Sequence, residues 1–226
     1  MPEPLIPSTG WGVLHLFCTL GPSFDSEAAV AAAKSAEADG YQVIPFAVLG
    51  HKAEVGFMTL GPDLWRLQQF QADVARAGLV IEWSYTSLTE ISEYAAGVPE
   101  EMKQARLYPQ LPPEGKNAFC FYPMSKRRGD VDNWFALPFE ERKEMMYGHG
   151  KSGRAFAGRV LQVITGSTGI DDWEWGVSLF AVNPDDLKEV VYTMRFDEAS
   201  AKFAEFGPFV TGLIAPVEEV LSRVAR

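Results

Sequence analysis

Apolar residues dominate "WGVLHLFCTL", Trp11 to Leu20, in a short run that reads as a strand. The pattern then changes period. "SEAAVAAAKSAEAD" predicts a helix, with Ser26 able to cap it and Gly40 to close it. "YQVIPFAVL" and "AEVGFMTL" predict two strands joined by a turn at Gly50. "PDLWRLQQFQADVARAG" returns to helical spacing, with Pro62 at its start and Gly78 at its end. "LVIEWSYTSL" is a closing strand.

The same order follows a second time. "NAFCFYPMS" reads as a strand and "PFEERKEMMYGHGKSGRAF" as a helix beginning near Pro138. "GRVLQVITG" and "WEWGVSLFAV" are strands around the turn "GSTGIDD". "NPDDLKEVVYTMR" is a helix, "FGPFVTGLI" a strand and "PVEEVLSRVAR" a last helix. Local wording also repeats, as in "AEVGFMTLGPDLWRL" against "WEWGVSLFAVNPDDLKEV".

This repetition predicts an α+β fold of tandem ferredoxin-like units, with two antiparallel sheets packed face to face and helices outside. The expected division is an N-terminal half over 1–95, a linker over 96–116 and a C-terminal half over 117–226. The linker text, "GVPEEMKQARLYPQLPPEGK", is rich in proline and charge.

Composition narrows the class of function. The 226 residues are 47% hydrophobic and carry a formal charge of -10. That supports a packed core and argues against a nucleic-acid or anionic-membrane surface as the main partner. The two cysteines, Cys18 and Cys120, lie far apart, as in a chain from a reducing compartment. The N-terminal residues lack the pattern of a signal peptide, and no apolar run approaches the roughly 20 residues of a membrane span. The expected location is cytoplasmic.

Candidate chemistry concentrates in the second half. His15 lies in a strand and His51 in a turn, where a hydrogen-bonded core histidine and a solvated one are the expected readings. His149 differs. It follows Met145 by one helical turn, and Gly148, Gly150 and Gly153 surround it. Each glycine costs a helix up to about 1 kcal/mol relative to alanine, so three together call for a reason. Close approach of a flat ligand is one reason, and a structural role is the other. A rigidly held neutral imidazole is also a common haem-iron ligand.

Tyr122 and Lys126 are spaced so that both project from one side of a strand, with the thioether of Met124 in the same stretch. Arg127 and Arg128 read as a solvated basic loop. Gln162 interrupts an apolar strand, which suits either a backbone-bonded amide or the lining of a cavity. Arg195 and Ser200 fall in text that reads as a helix end.

Taken together, "FYPMSKRR", "NWFALPFEERKEMMYGHGKSGRAFAGRVLQVITGSTGIDDWEWGVSLF" and "VYTMRFDEASAKFAEFGPF" resemble the chlorite dismutase superfamily, and within it the coproheme decarboxylase branch. The resemblance covers most of residues 117 to 213. It implies a homopentamer that binds iron coproporphyrin III (coproheme) in its C-terminal half. It also implies hydrogen peroxide as co-substrate, haem b as product and the ferrochelatase of the same pathway as a partner.

By the same resemblance, His149 is the iron ligand and Tyr122 the radical-forming tyrosine that attacks a propionate. Lys126 lies near that propionate, Met124 and Gln162 are distal-side residues, and Arg195 and Ser200 serve access and propionate binding. Tyr85, Ser87 and Arg106 match further propionate contacts. Chlorite dismutases place an arginine where Gln162 stands, which disfavours chlorite chemistry. Members of the actinobacterial type use a distal histidine in the linker, and none occurs between Glu93 and Phe121. A peroxidase or chlorite-degrading haem enzyme on the same fold, and a non-catalytic haem carrier, are the rival readings.

Overall fold

A computed structural model describes residues 3–225. The first repeat is β1 (Gly12–Leu20), α1 (Ser26–Ala38), β2 (Gln42–Leu49), β3 (Val55–Gly61), α2 (Leu64–Arg76) and β4 (Leu79–Thr89). A short helix α3 (Glu100–Leu107) lies in the linker. The second repeat is β5 (Ala118–Lys126), α4 (Phe139–Arg154), β6 (Val160–Gly166), β7 (Trp175–Ala181), α5 (Pro184–Met194), α6 (Glu198–Phe203), β8 (Ala204–Phe206) and β9 (Val210–Ile214). Helix α7 (Val217–Val224) ends the chain. α3, α6 and β8 are absent from the sequence reading. Each is too short to show a period, with α6 only 6 residues long.

The helix ends follow local chemistry. Asp25, one residue before Ser26, caps α1 by accepting from the Ala28 amide. Asp63 rather than Pro62 caps α2, accepting from the Trp65 amide. Gly40 and Gly78 close these helices with φ of +84° and +82°, a conformation that favours glycine.

The first sheet runs β4-β1-β3-β2 and the second β6-β7-β5-β9, with β8 beside the end of β5. The two sheets also hydrogen-bond at both edges. Leu88 and Thr89 of β4 pair with Gly166 and Thr165 of β6, and Phe46 to Leu49 of β2 pair with Ile214 to Thr211 of β9. The sheets therefore close into a barrel.

Strand alternation sorts the side chains. Phe17, Phe46, Tyr85, Phe119, Phe121 and Phe180 fill the interior. Outside the first sheet, Leu14, Leu16, Val55 and Phe57 pack under α1, α2 and α7. The last helix thus crosses back onto the N-terminal repeat through Val217, Val220 and Leu221. Outside the second sheet, α5 seats Leu187 and Val190 on β5 and β7. Helix α4 has 16 residues and none is fully buried. Among the described residues no helix is long and apolar enough to cross a membrane.

Candidate functional site

The loosely seated α4 leaves a cleft between itself, the outer face of the second sheet, and α5 and α6. Tyr122 and Met124 of β5, Gln162 and Ile164 of β6 and Val177 of β7 form its sheet wall. His149 of α4, Met194 and Arg195 at the end of α5 and Ser200 of α6 face them. Six of the residues expected at the site are therefore brought together: Tyr122, Met124, His149, Gln162, Arg195 and Ser200.

His149 Nδ1 lies 3.0 Å from Asp197 Oδ2 and 3.3 Å from Ser200 Oγ, while Ser200 Oγ is 3.2 Å from the same carboxylate oxygen. Burial by itself would raise the Asp197 pKa, but the bonds from His149 and Ser200 outweigh it and hold the group below its ordinary value. An ionised carboxylate only accepts, so Nδ1 carries the hydrogen of this bond, and Nε2 is the ring nitrogen left for a metal. A carboxylate placed behind an imidazole in this way fixes ring orientation and raises donor strength toward a metal.

Asp197 joins the candidate site without having been expected from the sequence. Its mark was present: an aspartate three residues before Ser200, whose amide it accepts at 3.0 Å as the cap of α6.

The glycines around His149 divide in purpose. Gly153, one turn on and on the same face, leaves room where a Cβ would lie 3.5 Å from Gln162 Nε2 and 3.7 Å from Met194 Cε. Nothing approaches the Cβ direction of Gly148 within 4 Å. The cleft itself holds about 40 Å3, and Met194 Sδ spans it to lie 3.8 Å from Gln162 Nε2. A porphyrin is larger than this volume, so the cleft must widen to admit one. The donor set fits such a group: one imidazole nitrogen for iron, Arg195 for carboxylates, and an apolar wall for the ring.

Tyr122 is 8% exposed, and burial, followed by the neighbouring Cys120, pushes its phenol well above the ordinary range while Arg195 pulls it down. Its ring stacks on Phe209 at 4.4 Å and meets Phe206 edge-on at 5.7 Å.

Lys126 shares that strand face but does not line the cleft. Its ammonium donates to Ala199 O at 2.7 Å and lies 4.4 Å from the centre of the Trp134 ring. Burial lowers its pKa to about 8, opposed by Asp197 and Glu174. Lys126 thus sits behind the His149–Asp197 pair.

Tyr85 and Ser87 are not brought to the cleft, which corrects their expected place. Both point into the barrel and are fully buried. The Tyr85 phenol bonds Ser167 Oγ, and Ser87 Oγ lies 2.8 Å from Thr165 Oγ1. Alternation along β4 puts the two on one face, and that face is the interior. Arg106 is exposed on α3, in a linker held to the N-terminal repeat by Thr89 Oγ1 donating to Leu107 O.

His51 is exposed, as expected of a turn residue. His15 is fully buried with Nε2 3.0 Å from Ser178 Oγ and Nδ1 without a partner, and burial lowers its pKa to about 3. Arg127 reaches Asp132 and Glu205, and Arg128 reaches Glu174, as a surface loop would. Cys18 and Cys120 are free and buried. A second hollow of about 300 Å3 opens at the barrel end beside Phe17, Trp83 and Lys52, and holds none of the expected site residues.

The sequence profile described as chlorite dismutase matches residues 25–215. Among solved structures, a haem-binding protein from Thermus thermophilus is 37% identical, with 100% of this chain and 99% of that chain covered and a TM-score of 0.85. A mutant chlorite dismutase from Candidatus Nitrospira defluvii aligns over 97% of this chain and 98% of its own at 19% identity, with a TM-score of 0.77. The imidazole complex of the chlorite dismutase from the same organism gives 19% identity, 97% coverage of each chain and a TM-score of 0.76. The last two establish the shared fold of tandem ferredoxin-like repeats. With most of its length matched by the profile, the chain belongs to the chlorite dismutase family.

Proposed function

We propose that this protein binds iron coproporphyrin III and, with hydrogen peroxide, decarboxylates two of its propionates oxidatively to give haem b. The observation that carries the reading is a buried phenol, Tyr122, on the wall of the cleft that His149 faces. Among the described residues no group of three or more His, Cys, Asp or Glu could hold a bare metal ion. A metal at His149 would therefore bring its other ligands with it, as a porphyrin does. The haem-binding relative from Thermus supports the same ligand class.

The iron substrate and peroxide supply the oxidising power. His149 fixes the iron from α4, with Asp197 holding its ring. Tyr122 gives up its phenolic hydrogen and then takes one from the propionate carbon next to the ring. A further electron leaves toward the iron and the carboxylate departs as carbon dioxide, leaving a vinyl group. For each propionate, one peroxide takes up two electrons, the hydrogen lost from the side chain and one proton from solvent, and becomes two waters, so the balance closes. Arg195, which lines the cleft, holds a carboxylate by charge-assisted bonds. Lys126, from behind the His149–Asp197 pair, adds a buried positive charge that favours a propionate in the cleft. Met124, Val177 and Ile164 supply the apolar wall for the macrocycle.

The deciding experiment mixes purified protein, iron coproporphyrin III and peroxide, and follows porphyrin mass. Loss of two carboxylates as carbon dioxide, with two vinyl groups formed, is the expected result. Peroxide consumption with an unchanged or bleached porphyrin would instead favour a peroxidase. Tight binding with no turnover would favour a carrier, and chlorite breakdown a chlorite-degrading enzyme. We propose a ring of five copies, as the family resemblance implies, and light scattering giving a monomer at micromolar concentration would refute it.

A further inference from the structure

The Tyr122 hydroxyl has no hydrogen-bond partner among the described residues, so no polar contact sets the angle of its ring. Packing must do so. Phe209 lies against one face, its ring tilted 24° from that of Tyr122, and Phe206 meets the ring at 61°. The two phenylalanines lie 6.0 Å apart, and the Arg195 guanidinium lies 5.1 Å from the centre of the Phe206 ring.

The segment between β8 and β9 that carries Phe209 is itself held from three sides. The Gly207 amide donates to Pro123 O at 2.9 Å. A Cβ on Gly207 would come within 2.6 Å of Pro123 Cγ and 2.9 Å of Trp173 Cζ2, so the segment lies tight against β5. Lys52, in the turn between β2 and β3, donates to Phe209 O. Val210 then joins the ladder opposite Phe121. Contacts from both repeats thus fix the backbone that presents the Phe209 ring.

We infer that Phe209 is a positioning residue, a flat stop that fixes the plane of the Tyr122 ring and with it the direction of the phenolic oxygen orbital through which hydrogen is exchanged with the propionate. The inference rests on the reading of Tyr122 as the reactive residue, and extends it to the group that aims it. A stacked ring suits this task better than a hydrogen bond, because it constrains orientation while leaving the hydroxyl hydrogen free to be transferred. An aliphatic side chain would fill the volume without imposing a plane.

The test compares Phe209→Ala, Phe209→Leu and Phe209→Tyr in the full-length protein loaded with iron coproporphyrin III. Vinyl product formed per peroxide consumed should fall by about tenfold or more in the alanine variant, as misplacement of a reacting group does. The leucine variant, which keeps most of the apolar volume, should also fall, and the tyrosine variant should recover most of the yield. The Soret band should stay unchanged in all three, since Phe209 does not touch His149.

A second measurement is independent of turnover. The ring-flip rate of Tyr122, followed by NMR on ring-labelled tyrosine and assigned against Tyr122→Phe, should rise in the alanine and leucine variants only. Parent product yields and parent flip rates in the leucine variant would overturn the inference. If the parent itself makes no vinyl product, the proposed function fails, while the flip rates still decide whether Phe209 holds the ring.

Discussion

The two repeats build the same layer outside their sheets, and only one of them is sealed. In the first, α1 buries Ala29, Ala32, Ala33 and Ala36, and α2 buries Leu67, Phe70 and Val74, against strand residues such as Leu14 and Leu16. In the second, α5 takes the place of α2 and seats its apolar face normally. Helix α4 takes the place of α1 but buries none of its residues fully. Where α1 has alanines, α4 has glycines around a histidine, and the strand facing it carries Tyr122, Met124 and Lys126. A site can thus be made by withholding packing from one copy of a repeat while the other supplies stability. The open copy is also the one expected to fluctuate, since local stability follows buried contact.

Tyr122→Phe should break the open face chemically while sparing it structurally. Because the hydroxyl has no hydrogen-bond partner among the described residues, its removal should leave the urea midpoint and coproheme binding close to the parent's. Vinyl product should disappear, and mass spectrometry showing haem b formed at the parent rate would refute the radical role.

His149→Ala should come next in size. Loss of the Nε2 donor should shift the Soret band and change the ferric spin state, although contacts to the propionates can still retain the porphyrin. An unchanged absorption spectrum would remove His149 from the iron.

The sealed face is broken by Phe70→Ala, which should cost about 3–5 kcal/mol by leaving a cavity under α2. Tyr147→Ala on α4, 72% exposed in the parent, should change stability by no more than about 0.5 kcal/mol. Equal losses in chemical denaturation would mean that the two faces do not differ as described.

The smallest effect concerns Lys126, whose pKa falls from 10.5 to about 8 on burial. The folded state holds this proton less tightly than the unfolded chain, so the penalty of burying the charge is full below about 8 and is relieved as pH rises toward 10.5. Urea midpoints of the parent should therefore climb relative to those of Lys126→Met across that window. Parallel curves would show that the ammonium is not desolvated.

Much of the fold was legible because its signals are local. Helical and alternating periods, repeated once, identify both ferredoxin-like units, and Gly40 and Gly78 mark helix ends through a conformation that few other residues adopt. The site was legible in part. His149 stood out through its glycines and Tyr122 through the family resemblance. Asp197, however, is 48 residues from the imidazole it holds, and no spacing rule links the two. Tyr85 and Ser87 show the converse: alternation told that they share a face, and nothing in β4 told that the face is the barrel interior.

By itself the sequence determined the order of the elements, the duplication and the residues grouped on each strand face, since these depend on neighbours a few positions apart. The tertiary structure alone decided that the two sheets join at β4–β6 and β2–β9 into a barrel. It also decided that α7 returns to the first repeat, that Lys126 turns to the Ala199 carbonyl rather than the cleft, and that Phe209 lies flat on Tyr122. The physical reason is the same in each case. Pattern fixes which way a side chain points, while its partner is set by chain closure over long separations.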